Sequence, residues 1–124
     1  MEYALIFVGS YLIGSIPNGF IVGKFFGIDI RNFGSKNIGA TNVYRVLGPK
    51  PAFIVFLCDA AKGLAGVYLG QLLFPGNPVA AILGGIGAIA GHNWSVFLGF
   101  KGGRGVATAV GVIALLIPKV TAVV

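Results

Sequence analysis

Ala52-Phe-Ile-Val-Phe-Leu-Cys-Asp-Ala-Ala-Lys-Gly-Leu-Ala-Gly-Val-Tyr-Leu-Gly-Gln-Leu-Leu-Phe74 is an apolar run interrupted by two charges, Asp59 and Lys62, and closed by Pro75-Gly-Asn-Pro78. A helix needs roughly 20 such residues to cross the hydrocarbon of a bilayer. Proline and glycine in the closing tetrapeptide are strong turn signals. The run therefore predicts a transmembrane helix followed by a tight connection. Working outward, three more segments have the same character. One extends from about Tyr3 to Phe26 and contains Pro17, which predicts a kink. Another extends from about Val79 to Phe100. The last starts near Val106 and continues to the end, with Pro118 and Lys119 near its close. The predicted fold is an all-α integral membrane protein, with four transmembrane helices in a single polytopic domain over residues 1–124.

Composition agrees. The chain is 56% hydrophobic and 10% charged, with 9 Lys and Arg against 3 acids and a net charge of +6, where a soluble domain carries about a quarter charged residues. Cys58 is the only cysteine, so no intrachain disulfide can form. One Cys, one His and three scattered acids do not make a protein-built metal site, and none is expected. The first apolar segment begins with Glu2 where a secretory leader has a basic region, and is expected to be retained.

Charge placement sets the expected orientation. Arg31, Lys36, Arg45 and Lys50 fall between the first two spans, with Lys24 at the edge, and Lys101 and Arg104 lie between the third and fourth. The turn at 75–78 carries no charge. Basic loops mark the cytoplasmic side, which places both polar loops there together and the N-terminus outside. Nearly all cations on one face argue against a charge-lined path across the bilayer, as a transporter or channel would need, and favour a one-sided interfacial site. Small residues recur four apart, as in Gly66 and Gly70, in Ala80, Gly84 and Ala88, and in Gly19, Gly23 and Gly27. That spacing suits close helix packing.

The polar loop Gly34-Ser-Lys-Asn-Ile-Gly-Ala-Thr-Asn42, followed by Arg45, gathers hydroxyls, amides, a cation and flexible backbone. Ser35, Asn37, Thr41 and Asn42 can donate to a phosphate, and a nearby helix start adds a favourable dipole. The same residues are ordinary in capped turns. Arg45 favours the anion reading, because a guanidinium binds phosphate with two parallel hydrogen bonds. Lys101-Gly-Gly-Arg-Gly105 is a second anion candidate, in which Gly102 and Gly103 expose backbone N–H groups beside Lys101 and Arg104. It lacks the Gly-Lys-Ser/Thr ending of a nucleotide-binding phosphate loop.

Three ionisable residues lie within or at the end of spans. Asp59 and Lys62 are three apart and can meet on one helical face. A mutual ion pair is the favoured reading, with Lys62 leaning toward an anion site as the alternative. His92, beside Asn93, can be a base, a donor to phosphate or a structural partner of a carbonyl; a lone histidine is more often structural. Trp94, Phe97 and Phe100 suit an interfacial aromatic belt.

Gly14-Ser-Ile-Pro17, Asp29-Ile-Arg31, Gly34-Ser35 with Asn37, Gly39-Ala-Thr-Asn42 and Arg45 resemble the first signature of the bacterial membrane acyl-phosphate:glycerol-3-phosphate acyltransferases of the PlsY type. Asp59 with Lys62-Gly63 resembles the second. Gly91-His92, Phe97 and Phe100-Lys-Gly-Gly-Arg-Gly-Val-Ala-Thr108 resemble the next. The resemblance implies transfer of a fatty acyl group from acyl phosphate to the 1-hydroxyl of glycerol 3-phosphate. The products are lysophosphatidic acid and phosphate, in the first step of phospholipid synthesis, with no cofactor. It implies Ser35, Arg45 and Arg104 as the catalytic contacts. Asn37, Thr41, Asn42, Lys101, Gly102 and Gly103 would line the phosphate sites, and His92, Asn93, Asp59 and Lys62 would support them. The implied partners are the two phosphorylated substrates and the lipid bilayer, not nucleic acid, and the implied location is the bacterial cytoplasmic membrane with the site facing the cytoplasm. Oligomeric state and the general base stay open.

Four departures from the family pattern stand out. Arg104 replaces a usual Lys, Lys36 stands where Gly is common, and Ser95 replaces a frequent Pro. Family members also run to roughly 190–200 residues and seven spans, more than four spans of about 20 residues supply. The expectation is that this chain is a truncated copy, inactive or poorly folded by itself.

Overall fold

The structure, a computed structural model, describes residues 2–103 and 106–123. Its helices are α1 (Glu2–Gly14), α2 (Asn18–Phe25), α3 (Ala40–Leu47), α4 (Pro49–Leu73), α5 (Pro78–Asn93) and α6 (Val106–Val123), with single 3-10 turns at Ile30–Asn32 and Val96–Leu98. Among the described residues there is no strand. Glu2–Phe25, Pro49–Leu73 and Pro78–Leu98 are long and apolar enough to cross a membrane, with mean hydropathies of 1.7, 1.7 and 1.3, and Val106–Leu116 is a shorter apolar helix.

The elements differ from the sequence-based expectation in three places. The first span is two helices rather than one kinked helix. Loop one contains α3, an amphipathic helix whose polar residues Thr41, Asn42 and Arg45 hid it among turn signals. α5 ends at Asn93 instead of continuing to Phe100.

The break in the first span follows from Pro17, which has no N–H and cannot continue the helical ladder. In an unbroken helix the Asn18 N–H would bond the Gly14 carbonyl; here it bonds Ile16 O at 3.0 Å. The Gly14 and Ser15 carbonyls are left for side chains from other helices. Lys62 Nζ donates to Gly14 O and to Ile16 O, both at 2.9 Å. Ser95 Oγ donates to Ser15 O at 2.5 Å. Within a bilayer no water is at hand to satisfy such groups, and the donors come from α4 and from Ser95, just beyond α5.

Small residues line the contacts between membrane helices, and many large apolar side chains point outward. Leu5, Val8 and Leu12 of α1, Phe53, Leu57, Tyr68 and Leu72 of α4, and Val79, Ile82 and Ile86 of α5 are exposed, which suits contact with lipid. Inside, backbones touch. A Cβ at Gly66 would sit 2.5 Å from Gly84 O, and one at Gly84 would overlap Gly66 O. Packing between lipid-bathed helices rests on such close approach. Gly84→Val is expected to force α4 and α5 apart and to lower resistance to denaturation by about 1–3 kcal/mol, read from unfolding in mixed detergent micelles. Asn77 begins α5 by accepting from the Val79 and Ala80 N–H groups at 3.0 and 3.3 Å.

Candidate functional site

Loop one is held open by one amide. Asn42, on α3 and buried, accepts the Ser35 N–H at 2.9 Å and donates to Phe33 O at 3.1 Å and Asn37 O at 2.8 Å. Both of its N–H bonds and its oxygen are engaged in the fold, so its side chain shapes the loop rather than offering a donor to a ligand. Gly34 allows this geometry: its φ is +57°, and a Cβ there would overlap Asn42 Oδ1. Asn37 Oδ1 accepts the Gly39 N–H at 2.8 Å, closing a local turn immediately before α3. The result presents Ser35 from the loop and Thr41 and Arg45 from successive turns of α3, where residues four apart share a face.

These residues line one cavity of about 470 Å³, together with Asn37, Asn42, Asp59, His92 and the first residues of α6, Val106 and Ala107. Loop one and the start of α6 therefore meet at one place. The helix starts at this cavity are those of α3 and α6, not that of the second membrane helix, α4, whose start the sequence suggested for an anion. Ala40, Thr41 and Phe56 also line a second, apolar groove of about 910 Å³ running along α3 and α4 past Tyr44, Phe53 and Ile54.

Of the loop-one cations, Arg45 is the one on the cavity wall, exposed and without an ion-pair partner among the described residues. Arg31 is engaged elsewhere: it pairs with Asp29 at 2.7 Å and lies 4.6 Å from the Phe20 ring centroid. The Arg31 hydrogen bond holds the Asp29 carboxyl down at about 2, against an ordinary 3.8. A depressed carboxyl contributes above its unfolded value and ceases to as pH falls through the folded one, so this clasp stays closed down to about pH 2.

Beneath the polar rim lies a buried cluster. Asp59, Lys62 and His92 are only 1%, 5% and 3% exposed. Lys62 Nζ lies 3.2 Å from Asp59 Oδ1 and 2.8 Å from His92 Nδ1. Asn18 Nδ2 donates to Asp59 Oδ1 at 3.0 Å. The ion pair expected from spacing is present, but it is one part of a larger network that includes the broken-helix carbonyls and His92. Asn18, a polar residue inside an apolar span, was the available signal, since such residues are rare and usually partnered.

The second anion candidate is only partly at the cavity. Gly102 and Gly103 wrap the C-terminal end of α5, and the Gly103 N–H donates to His92 O at 3.0 Å. Lys101 is exposed and off the cavity wall, and Asn93 is half-buried beside it. Arg104 and Gly105 lie outside the described residues.

The family model described as glycerol-3-phosphate acyltransferase matches residues 4–124. The chain belongs to this family. A glycerol-3-phosphate acyltransferase 2 of Moorella thermoacetica is 50% identical over 117 residues, covering 94% of this chain and 59% of that protein. A glycerol-3-phosphate acyltransferase of Trichlorobacter lovleyi is 52% identical over 110 residues, covering 89% and 56%. The chain thus spans a little under three-fifths of the length of these relatives. A crystal structure of PlsY (YgiH), an integral membrane glycerol 3-phosphate acyltransferase in its glycerol 3-phosphate form, superposes with a TM-score of 0.85 at 40% identity, covering 98% of this chain and 61% of that one. The lysophosphatidic acid form gives 0.83 at 38%.

Two departures from the glycerol-3-phosphate acyltransferase pattern have local physical explanations. Lys36 adopts φ +66°, a left-handed backbone that glycine tolerates and other residues resist. Lys36→Gly is expected to stabilise this acyltransferase-family chain by about 0.5–1 kcal/mol, read as a rise in its unfolding midpoint. Ser95, where the resemblance noted from the sequence leads one to expect proline, supplies the side-chain donor to Ser15 O, a hydrogen bond that proline cannot make.

Proposed function

We propose that the protein transfers a fatty acyl group from acyl phosphate to the 1-hydroxyl of glycerol 3-phosphate, releasing lysophosphatidic acid and inorganic phosphate. The observation that carries this is the junction of two unlike spaces: a polar cavity walled by Ser35, Thr41 and Arg45, and an apolar groove sharing Ala40, Thr41 and Phe56 with it. A substrate with a phosphate head and a long acyl tail fits that junction, with its head in the cavity and its tail along α3 and α4. Family membership and the names of the relatives support the same reaction.

Acyl phosphate is an activated mixed anhydride. The hydroxyl oxygen attacks the acyl carbon, the carbon–oxygen bond to phosphate breaks, and phosphate leaves with the electron pair. The proton passes to a phosphate oxygen of a substrate. The protein's tasks are to hold two anionic heads together and to stabilise charge as it shifts. Arg45 neutralises phosphate with a forked donor, Ser35 and Thr41 supply hydroxyls, and the opening turn of α3 contributes N–H groups and a favourable dipole. On the family resemblance alone, Lys101 and Arg104 are proposed as further phosphate contacts. The proposed site faces the cytoplasm of a bacterial inner membrane, with the N-terminus outside, because the sequence puts its cations between the first two spans and between the third and fourth, and basic loops mark that side.

Residues 1–124 alone are expected to give little or no product, so the test supplies acyl phosphate and labelled glycerol 3-phosphate to membranes carrying this sequence within a chain of its relatives' length. Labelled lysophosphatidic acid, with stoichiometric phosphate release, is expected. No product, while a family member assayed in parallel is active, overturns the proposal.

A further inference from the structure

Lys62 Nζ has four neighbours within hydrogen-bond reach: the Gly14 and Ile16 carbonyl oxygens at 2.9 Å, Asp59 Oδ1 at 3.2 Å and His92 Nδ1 at 2.8 Å. An ammonium carries three protons and no lone pair, so it accepts in none of these contacts; its three N–H groups go to Gly14 O, Ile16 O and His92 Nδ1, and Asp59 Oδ1 is its ion-pair partner. His92 Nδ1 therefore accepts and bears no proton. The other acceptor nearby, Asp59 Oδ1, is 3.8 Å from Nδ1, too far to take a proton from it. A proton on Nδ1, in the other tautomer or in the imidazolium, would oppose an N–H to the N–H groups of Lys62. The neutral ring then carries its proton on Nε2.

Nε2 is at the far edge of the ring. It abuts Gly103, where a Cβ would overlap it, and it has no hydrogen-bond partner among the described residues. His92 lines the same cavity as Ser35, Thr41 and Arg45. We propose that Lys62 is a positioning residue: braced by Asp59 and the carbonyls of the broken first span, it locks His92 in the Nε2–H tautomer, and His92 donates from Nε2 to a phosphate oxygen held in the cavity. A ring in this state has no lone pair toward the cavity, so His92 does not take the substrate hydroxyl's proton there. The identity of the phosphate rests on the acyl-transfer reading; the tautomer does not.

His92 is the only histidine in the sequence, so ring nitrogen-15 labelling of the untagged protein in micelles gives the signals of one residue. The expected spectrum has a protonated Nε2 and an unprotonated Nδ1, with the Nε2–H form in about tenfold excess or more. Glycerol 3-phosphate, and inorganic phosphate separately, should shift Nε2 far more than Nδ1. Lys62→Arg, which keeps the donors, should preserve the pattern, and Lys62→Met should raise the Nδ1–H form severalfold. A protonated Nδ1 in the unsubstituted protein overturns the inference without any variant having to fold. An Nε2 signal unmoved by both ligands also overturns it. Acyl transfer by a protein with Nδ1 protonated removes this inference and leaves the reaction. An Nε2–H signal shifted by inorganic phosphate, with no acyl transfer, supports this inference and removes the reaction.

Discussion

Lys62→Ala is expected to destabilise the folded protein by about 3–5 kcal/mol, the range for removing one partner of a buried ion pair. The loss has two sources. Asp59, 1% exposed, is left as a buried charge whose one remaining hydrogen-bond donor among the described residues is the Asn18 amide, with the neutral His92 ring 3.8 Å away. The Gly14 carbonyl loses the donor that the Pro17 break makes necessary, while Ile16 O keeps the Asn18 N–H, and one unmet carbonyl costs about 1–3 kcal/mol. Unfolding in mixed detergent micelles reads the effect. Pairing Lys62→Met with Asp59→Asn should recover part of it, since no unpaired charge remains. A Lys62→Ala protein within about 1 kcal/mol of the parent contradicts the role given to the network.

Arg45→Ala is expected to have the largest effect on turnover and almost none on folding. Arg45 is exposed, lines the polar cavity and has no ion-pair partner among the described residues, so removing it leaves no buried group unmet. Against a phosphate, two charge-assisted hydrogen bonds are at stake. With hydrogen bonds to charged groups contributing about 1.5–3 kcal/mol net, kcat/KM for glycerol 3-phosphate should fall about 100-fold. Arg45→Lys should recover only part, because an ammonium lacks the planar fork. Steady-state rates over a range of glycerol 3-phosphate concentrations decide between this and a surface-charge role, which would leave kcat/KM within about twofold.

The spans were legible because length and hydropathy fix a membrane helix almost independently of its neighbours. The small-residue stripes of α4 and α5 were legible too, since Gly66 and Gly84 have no other use at that spacing. Gly27, the third member of the first stripe, instead occupies a turn with φ +79°. What stayed hidden depended on contacts distant in sequence. Asn42 has the composition of a phosphate ligand, and only its bonds to residues 33, 35 and 37 show it to be scaffold. Lys62 could be paired with Asp59 from spacing alone. Its bonds to Gly14, Ile16 and His92, some 30 to 48 positions away, required the helices to be packed. α3 was missed because its polar face, which builds the cavity, carries the same residues as a capped turn.

The central claim is that Ser35, Thr41 and Arg45 enclose a phosphate site. Calorimetric titration of the purified protein with glycerol 3-phosphate, alongside Arg45→Ala and Ser35→Ala, tests it most directly. Saturable binding at one site and competition by inorganic phosphate are expected. Binding should weaken at least about tenfold in Arg45→Ala and less in Ser35→Ala, where one neutral hydroxyl is lost. Equal binding by all three proteins, or no binding by the unsubstituted one, would contradict it.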